Sequence, residues 1–147
     1  ILERLNKNNY GEKVSEKVYQ IIFDHISKWG DIDDMVGAGE LGYFSDEPQY
    51  DGSLLLWKGK LSGDVVTKHL EWLKNTLSST QEDSFSSSEK IKSIVFDYAT
   101  ENGRGDVLWP LRVALSGKEK SPDPFTLLYI LGKDATLKRI DSAIKKI

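Results

Sequence analysis

Cysteine is absent from the 147 residues. That single absence removes disulfide frameworks, thiolate zinc sites, iron–sulfur clusters and thiol nucleophiles together, and it fits a reducing compartment, so the expected location is the cytoplasm. Long apolar runs are missing too, and the N-terminus lacks the basic, apolar and small-residue succession of a signal peptide. Neither a membrane span nor secretion is expected. Histidine is nearly absent: His25 and His69 stand far apart and do not have the i, i+4 spacing of a zinc helix. Each reads as a polar helix position. Asp31, Asp33 and Asp34 lack the Gly and closing Glu of a calcium loop and read as helix caps, so no metal site is expected. Alternating β-branched runs are also wanting; the best strand candidate, Leu54 to Trp57, is short and isolated. The expected fold is all-α.

What is present is charge, unevenly spread. The net charge of -3 argues against a polyanion partner at first sight, because phosphate neutralisation needs clustered Lys and Arg. Residues 104–147, however, hold nine Lys and Arg against five Asp and Glu, leaving eleven against eighteen in residues 1–103. The basic end is therefore C-terminal, which points toward a polyanion or, equally, a solvated basic helix. The length suits one domain with a working core. The chain opens at Ile1, without Met, on residues that read as the inside of a helix, as expected of a segment of something longer.

Along the chain, Val14, Val18, Ile21, Ile22 and Trp29 fall at helical spacing, which predicts an amphipathic helix over residues 12–29 with Trp29 in the core. Gly30 ends it and Asp31 caps a short helix through Met35. Residues 37–53, Gly-rich and holding Pro48, read as irregular. Asp64 is placed to cap a helix whose stripe is Val66, Leu70, Leu73 and Leu77, with Trp72 beside it as a packing residue. The Ser-rich stretch 81–88 reads as a connector between two small helical subdomains, 1–80 and 89–147. Ser86 with Glu89 has capping-box spacing for a helix carrying Ile91, Ile94, Val95 and Tyr98 and ending at Gly103. Three short helices follow, opened by Asp106, by Ser121 with Pro122, and by Asp134.

Few of these features carry chemistry. Gly37-Ala-Gly39-Glu-Leu-Gly42 has the spacing of a dinucleotide loop, but no strand precedes it, so it reads as a plain loop. No acid, base and nucleophile can be named together, and no catalytic residue is assigned. Among the four Trp, Trp57 is ambiguous between Leu56 and Lys58, and Trp109 stands apart because of its surroundings. Arg112 lies three residues after Trp109, on the same side of a helix, an arrangement suited to phosphate or base recognition. Taken alone, the pair is better explained as an Arg that pairs with a carboxylate beside a core Trp.

Residues 105–125 read GDVLWPLRVALSGKEKSPDPF. This segment resembles the C-terminal region of bacterial glutamyl-tRNA synthetases, whose members show an aromatic or apolar residue before Pro-Leu-Arg-Val-Ala-Leu, then Thr or Ser with Gly, a short basic link, a Ser-Pro or Thr-Pro step and a Phe. The likeness continues through Leu131-Gly132-Lys133 and the helix Leu137–Ile140 with Arg139. It is weaker over 48–60. The resemblance implies an anticodon-binding unit, two helical subdomains forming a superhelical, cage-like bundle. It implies tRNA contacts at Trp109, Arg112, Ser121 and Pro122, with Pro124 and Phe125 as rigid surfaces and Lys118 and Lys120 as supporting charge. The implied partner is the anticodon loop of tRNA(Glu), with tRNA(Gln) left open as a further one, and not DNA or a membrane; a monomer is the simplest state. This segment needs no cofactor of its own. ATP, Mg and catalysis as a glutamate–tRNA ligase belong to a catalytic domain whose HIGH-like and KMSKS-like motifs are not in this chain. Asp123, where the family commonly has Gly, is a departure that places negative charge near the implied RNA surface. A helical protein-interaction module is the competing reading.

Overall fold

The computed structural model describes residues 1–8, 11 and 15–147. The chain packs into two compact units, Ile1–Glu47 and Pro48–Ile147. Among the described residues, every regular element is helical, with seven α-helices, four 3-10 turns and no strand. No helix among them is long and apolar enough to cross a membrane.

The first unit holds α1 (Leu2–Lys7), α2 (Tyr19–His25) and α3 (Gly30–Gly37), with 3-10 turns at Glu16–Val18 and Gly42–Phe44. Leu5, Val18, Ile22, Ile32 and Leu41 are its buried apolar residues, joined by Tyr43. Burial, and then the Glu40 charge, push the Tyr43 hydroxyl up to about 12. α1 is tied to α3 by Asn8 Nδ2 donating to Asp33 at 2.6 Å and by Arg4 at 3.4 Å from the same carboxylate. The single helix expected over 12–29 is corrected: helix runs only over Tyr19–His25, preceded by the 3-10 turn, while Glu12, Lys13 and Val14 lie outside the described residues. The break at Ile26, extended at φ -111 and ψ 145, throws Trp29 off the stripe, and it is half exposed rather than core. Asp31 reaches back to accept from the Ser27 and Lys28 amides at 2.8 and 3.2 Å, so it ties the turn before α3. The Gly37–Gly42 loop closes α3 and follows no strand.

The second unit contains a 3-10 turn at Gly52–Leu56, α4 (Gly63–Ser78), a 3-10 turn at Glu82–Ser86, α5 (Ser88–Asn102), α6 (Arg104–Ser116) and α7 (Pro124–Lys146). Helices α6 and α7 each pack against α4 and α5 and against one another, and together they form the middle of the core. Val107, Leu111 and Leu115 of α6 are fully buried, as are Leu70, Leu73 and Leu77 of α4, Ile91 and Val95 of α5, and Leu127, Leu128 and Ile140 of α7. Burying each such side chain contributes about 1.5–3 kcal/mol. The Ser-rich stretch carries structure: Phe85, its one aromatic, is buried and anchors the 3-10 turn against α7. Gly132 leaves the helical region at φ 77 and ψ 176 and kinks α7, at the position where the sequence separates two helices.

His69 is 4% exposed, which corrects its reading as an ordinary polar position. It shares the α4 stripe with Val66, Leu70 and Leu73, and it is accommodated because Nδ1 lies 2.8 Å from the Tyr98 hydroxyl. Tyr98 in turn stacks on Trp72 at 3.8 Å. Burial foremost, then the nearby Lys68 charge, lower the His69 pKa from 6.5 against the opposing pull of Asp106. A lowered imidazole is neutral in the fold and protonates more readily when unfolded. Its destabilising effect is therefore absent above 6.5, grows as pH falls below that value, and levels off below the folded pKa. The carboxylates held low, Asp31, Asp51 and Asp141, titrate below 3.8, outside this window. Thermal melts are expected to show a lower Tm at pH 5.5 than at pH 7.5, with a smaller difference for His69→Gln; an equal difference in the two proteins would remove His69 as the cause.

Candidate nucleic-acid interface

The residues singled out by sequence converge on α6 and the loop that follows it. Gly103, at φ 96, turns the chain from α5 into α6. Within α6, Trp109 is half-buried and its Nε1 donates to the Leu54 carbonyl at 2.9 Å. Its ring stacks on Trp57, centroids 6.0 Å apart at 24°. Trp57, Lys58 and Gly59 are successive left-handed residues, at φ 48, 57 and 79. That conformation costs about 1–2 kcal/mol for each non-glycine residue, and the Trp57 contacts with Trp109 and with Lys60, whose ammonium lies 5.0 Å from the indole centroid, offset it. Leu54–Trp57 is thus no strand but a 3-10 turn ended by a left-handed residue.

Arg112 follows one turn later and is half-buried. Its Nε is buried with no hydrogen-bond partner, and among the described residues no carboxylate pairs with it. A guanidinium N–H withdrawn from water without an acceptor is costly, and the half-buried side chain keeps its positive charge uncompensated by a carboxylate.

The loop after α6 is organised by Ser116, which is 1% exposed. Its hydroxyl lies 2.9 Å from both the Arg112 carbonyl and the Ser121 hydroxyl, and it accepts from the Lys118 amide at 3.2 Å. Gly117 is required twice over. It caps α6 in the left-handed region at φ 71, and a Cβ there would stand 2.7 Å from Pro48 Cβ and 3.1 Å from Tyr50. The last turn of α6 receives a further cap, because the nearly buried Arg139 donates from Nη1 to the Leu115 carbonyl at 2.7 Å.

Helix α7 opens two residues later than Ser121-Pro122 suggests. Asp123 is its N-cap, accepting from the Thr126 amide at 3.0 Å and the Thr126 hydroxyl at 2.6 Å, and Pro124 holds the first helical position. The Asp123 φ of -59 needs no glycine, and the carboxylate is engaged in capping. Pro124 and Phe125 are buried, Phe125 at 8% exposure. Lys120 is exposed, and Arg112, Lys118, Ser121 and Pro122 are half-buried. The accessible part of the candidate surface is therefore mainly basic and polar, with Trp109 half-buried in it and Pro124 and Phe125 beneath. Ser116, Arg139 and Trp57 carry structural roles here that no spacing in the sequence singles out.

Residues 2–144 match the model of the anticodon binding domain family. The chain is 31% identical to a glutamate–tRNA ligase of Lachnoclostridium phytofermentans, over 99% of this chain and 32% of that protein. A glutamate–tRNA ligase of Clostridium acetobutylicum is 30% identical, over 90% of this chain and 26% of its own length. Among solved structures, a glutamate tRNA ligase from Elizabethkingia meningosepticum in complex with its amino acid superposes with a TM-score of 0.72 at 28% identity, over 97% of this chain and 27% of that one. The chain thus spans about a third or less of the length of the proteins it matches.

Proposed function

The chain belongs to the anticodon binding domain family and matches the C-terminal region of glutamate–tRNA ligases, and on that premise we propose that it reads the anticodon loop of tRNA(Glu). The domain itself is not catalytic. On this reading the parent protein is a cytoplasmic, monomeric ligase that attaches glutamate to tRNA with ATP and Mg, using residues outside this chain. The finer architecture, subdomains 1–80 and 89–147 about the segment 81–88 in a cage-like bundle for the loop, is part of the proposal. Charging of tRNA(Gln) as well is its variant.

The observation that carries the reading is the half-buried Arg112, which no carboxylate pairs with among the described residues, in a helix whose next loop supplies Lys118 and Lys120. A guanidinium can take a phosphate or a base edge in two parallel hydrogen bonds, which fixes orientation as well as adding affinity. Lys118 and Lys120 supply the sequence-independent attraction that makes such binding salt-sensitive. Ser121 and Pro122 border this surface, and Trp109, Pro124 and Phe125 hold it rigid from below, so a splayed base meets a preformed edge.

The test is binding of this chain to a glutamate anticodon stem-loop and to the same stem with a changed anticodon. Wild type should prefer the glutamate loop, and Arg112→Ala should weaken that binding by about 10–100-fold and lose the preference, the equivalent of roughly 1–3 kcal/mol for one bidentate contact. Binding of neither hairpin at low salt would sink the reading, and binding indifferent to salt would favour an apolar protein-docking surface instead.

A further inference from the structure

Beyond the α6 loop, the second unit carries a group of cations and rings on a neighbouring edge. Lys92 and Phe96 lie one turn apart on α5, and Arg104 opens α6. The Arg104 guanidinium stands 4.9 Å from the Phe96 ring centroid. Lys92 Nζ stands 5.1 Å from the same ring and 5.7 Å from Phe125. Lys92 and Arg104 are exposed and Phe96 is half-buried.

Some cations of this chain rest on rings, as Lys60 does on Trp57 and Lys146 on Tyr50, and others pair with acids. Acids outnumber bases, and Arg4, Lys74, Lys90 and Lys145 each take a carboxylate. Lys92 and Arg104 do not, among the described residues, although Asp97 and Glu101 stand on α5 nearby. They rest over aromatic faces and keep their full charge for an outside partner. Cations interleaved with a half-buried ring are suited to a single nucleic-acid strand: phosphates meet the charges, and the ring offers a flat face to an unstacked base. Lys92 also touches Phe125, which follows Asp123 and Pro124 at the start of α7. Lys92 thus lies beside the start of α7, into which the loop from Gly117 leads.

We infer that Lys92, Phe96 and Arg104 form a second RNA subsite, which takes the sugar-phosphate strand leaving the anticodon-reading loop, with one base on Phe96 and phosphates on the two cations. This rests on the anticodon reading above and adds a strand path that is indifferent to sequence. Lys92 and Arg104 swing from the ring to the phosphates as a base takes their place.

The experiment uses the same two hairpins in a salt titration, with wild type, Arg112→Ala, the double variant Lys92→Gln/Arg104→Gln, Phe96→Leu and Phe96→Trp, each checked for folding by thermal melting. The double variant should lose about tenfold in affinity for both hairpins, keep the preference for the glutamate loop, and show a salt slope shallower by about 1.4, from two phosphate contacts at roughly 0.7 each on single-stranded RNA. Phe96→Leu should weaken both hairpins and Phe96→Trp should restore them. If wild type discriminates the hairpins through Arg112 while the double variant matches it in affinity and slope, the subsite is overturned and the anticodon reading stands. Failure of wild type to bind either hairpin overturns both.

Discussion

Arg139→Ala is expected to destabilise the second unit by about 2–4 kcal/mol, combining loss of a charged hydrogen-bond donor with a cavity in place of a long buried side chain. At 5% exposure, Arg139 is among the most enclosed charged residues of the chain, and its donation to the Leu115 carbonyl satisfies an acceptor that the end of α6 leaves open. Without it, the Leu115 carbonyl stays buried and unmatched, and the Ser116 network that shapes the loop to Ser121 loses its support. Urea unfolding should show a lower midpoint with an unchanged slope. Arg139→Met separates the causes, because it keeps most of the volume and no donor. If Arg139→Met is as stable as wild type, packing alone holds α6 to α7 and the capping role is wrong.

Much of the helical framework was legible from periodicity, since a stripe such as Val66, Leu70, Leu73 and Leu77 needs only its own spacing to declare a face, and all four are fully buried. Helix starts were legible only to within a residue or two. Ser62 caps α4 rather than Asp64, Ser87 caps α5 rather than Ser86, and Asp123 caps α7 rather than Ser121. Adjacent Ser and Asp are chemically equivalent caps, and tertiary packing chooses among them. His69 shows a second limit. Its partner, Tyr98, lies on another helix, and no local pattern announces that a buried imidazole will be satisfied there. Trp29 shows the converse, a residue at core spacing left half exposed because the chain breaks before it.

The candidate site divides in the same way. Trp109 and Arg112 were legible as a pair on one helix face, and the resemblance over residues 105–125 supplied their context. The open alternative, a carboxylate partner for Arg112, is not what the fold contains among the described residues, while the core-packing half of that alternative describes Trp109 well. Trp57 could not be placed from sequence, because its position depends on two non-glycine residues in left-handed conformation, which propensity disfavours. The Lys92, Phe96 and Arg104 edge was equally hidden: Lys92 and Phe96 share a helix, but Arg104 and Phe125 reach them only through packing of α5, α6 and α7.

Gly105 gives the sharpest separation between local propensity and packing. It lies in the first turn of α6, outside the positive-φ glycines, so propensity alone predicts that Gly105→Ala stabilises the protein by about 1 kcal/mol. Packing predicts the opposite sign. A Cβ on Gly105 would overlap the six-membered ring of Trp57, and that ring has little room to yield, since its backbone is fixed at φ 48 and ψ 61 and Trp109 stands on it at 6.0 Å. Overpacking of this kind typically costs about 1–3 kcal/mol. Gly105→Ala is therefore expected to be slightly destabilising and Gly105→Val to lose about 2–3 kcal/mol, whereas Gly30→Ala in α3, where nothing lies within 4 Å, should be neutral or stabilising. Urea midpoints of the three variants decide it, and a stabilised Gly105→Ala would show that Trp57 moves freely. The functional consequence follows from the same contacts. Pushing Trp57 away shifts Trp109, whose indole bonds Leu54, and Trp109 sits three residues before Arg112 on one rigid turn. Gly105→Val should then lower discrimination between anticodon hairpins even under conditions where it remains folded, because the fault lies in where the guanidinium is held and not in whether the domain survives.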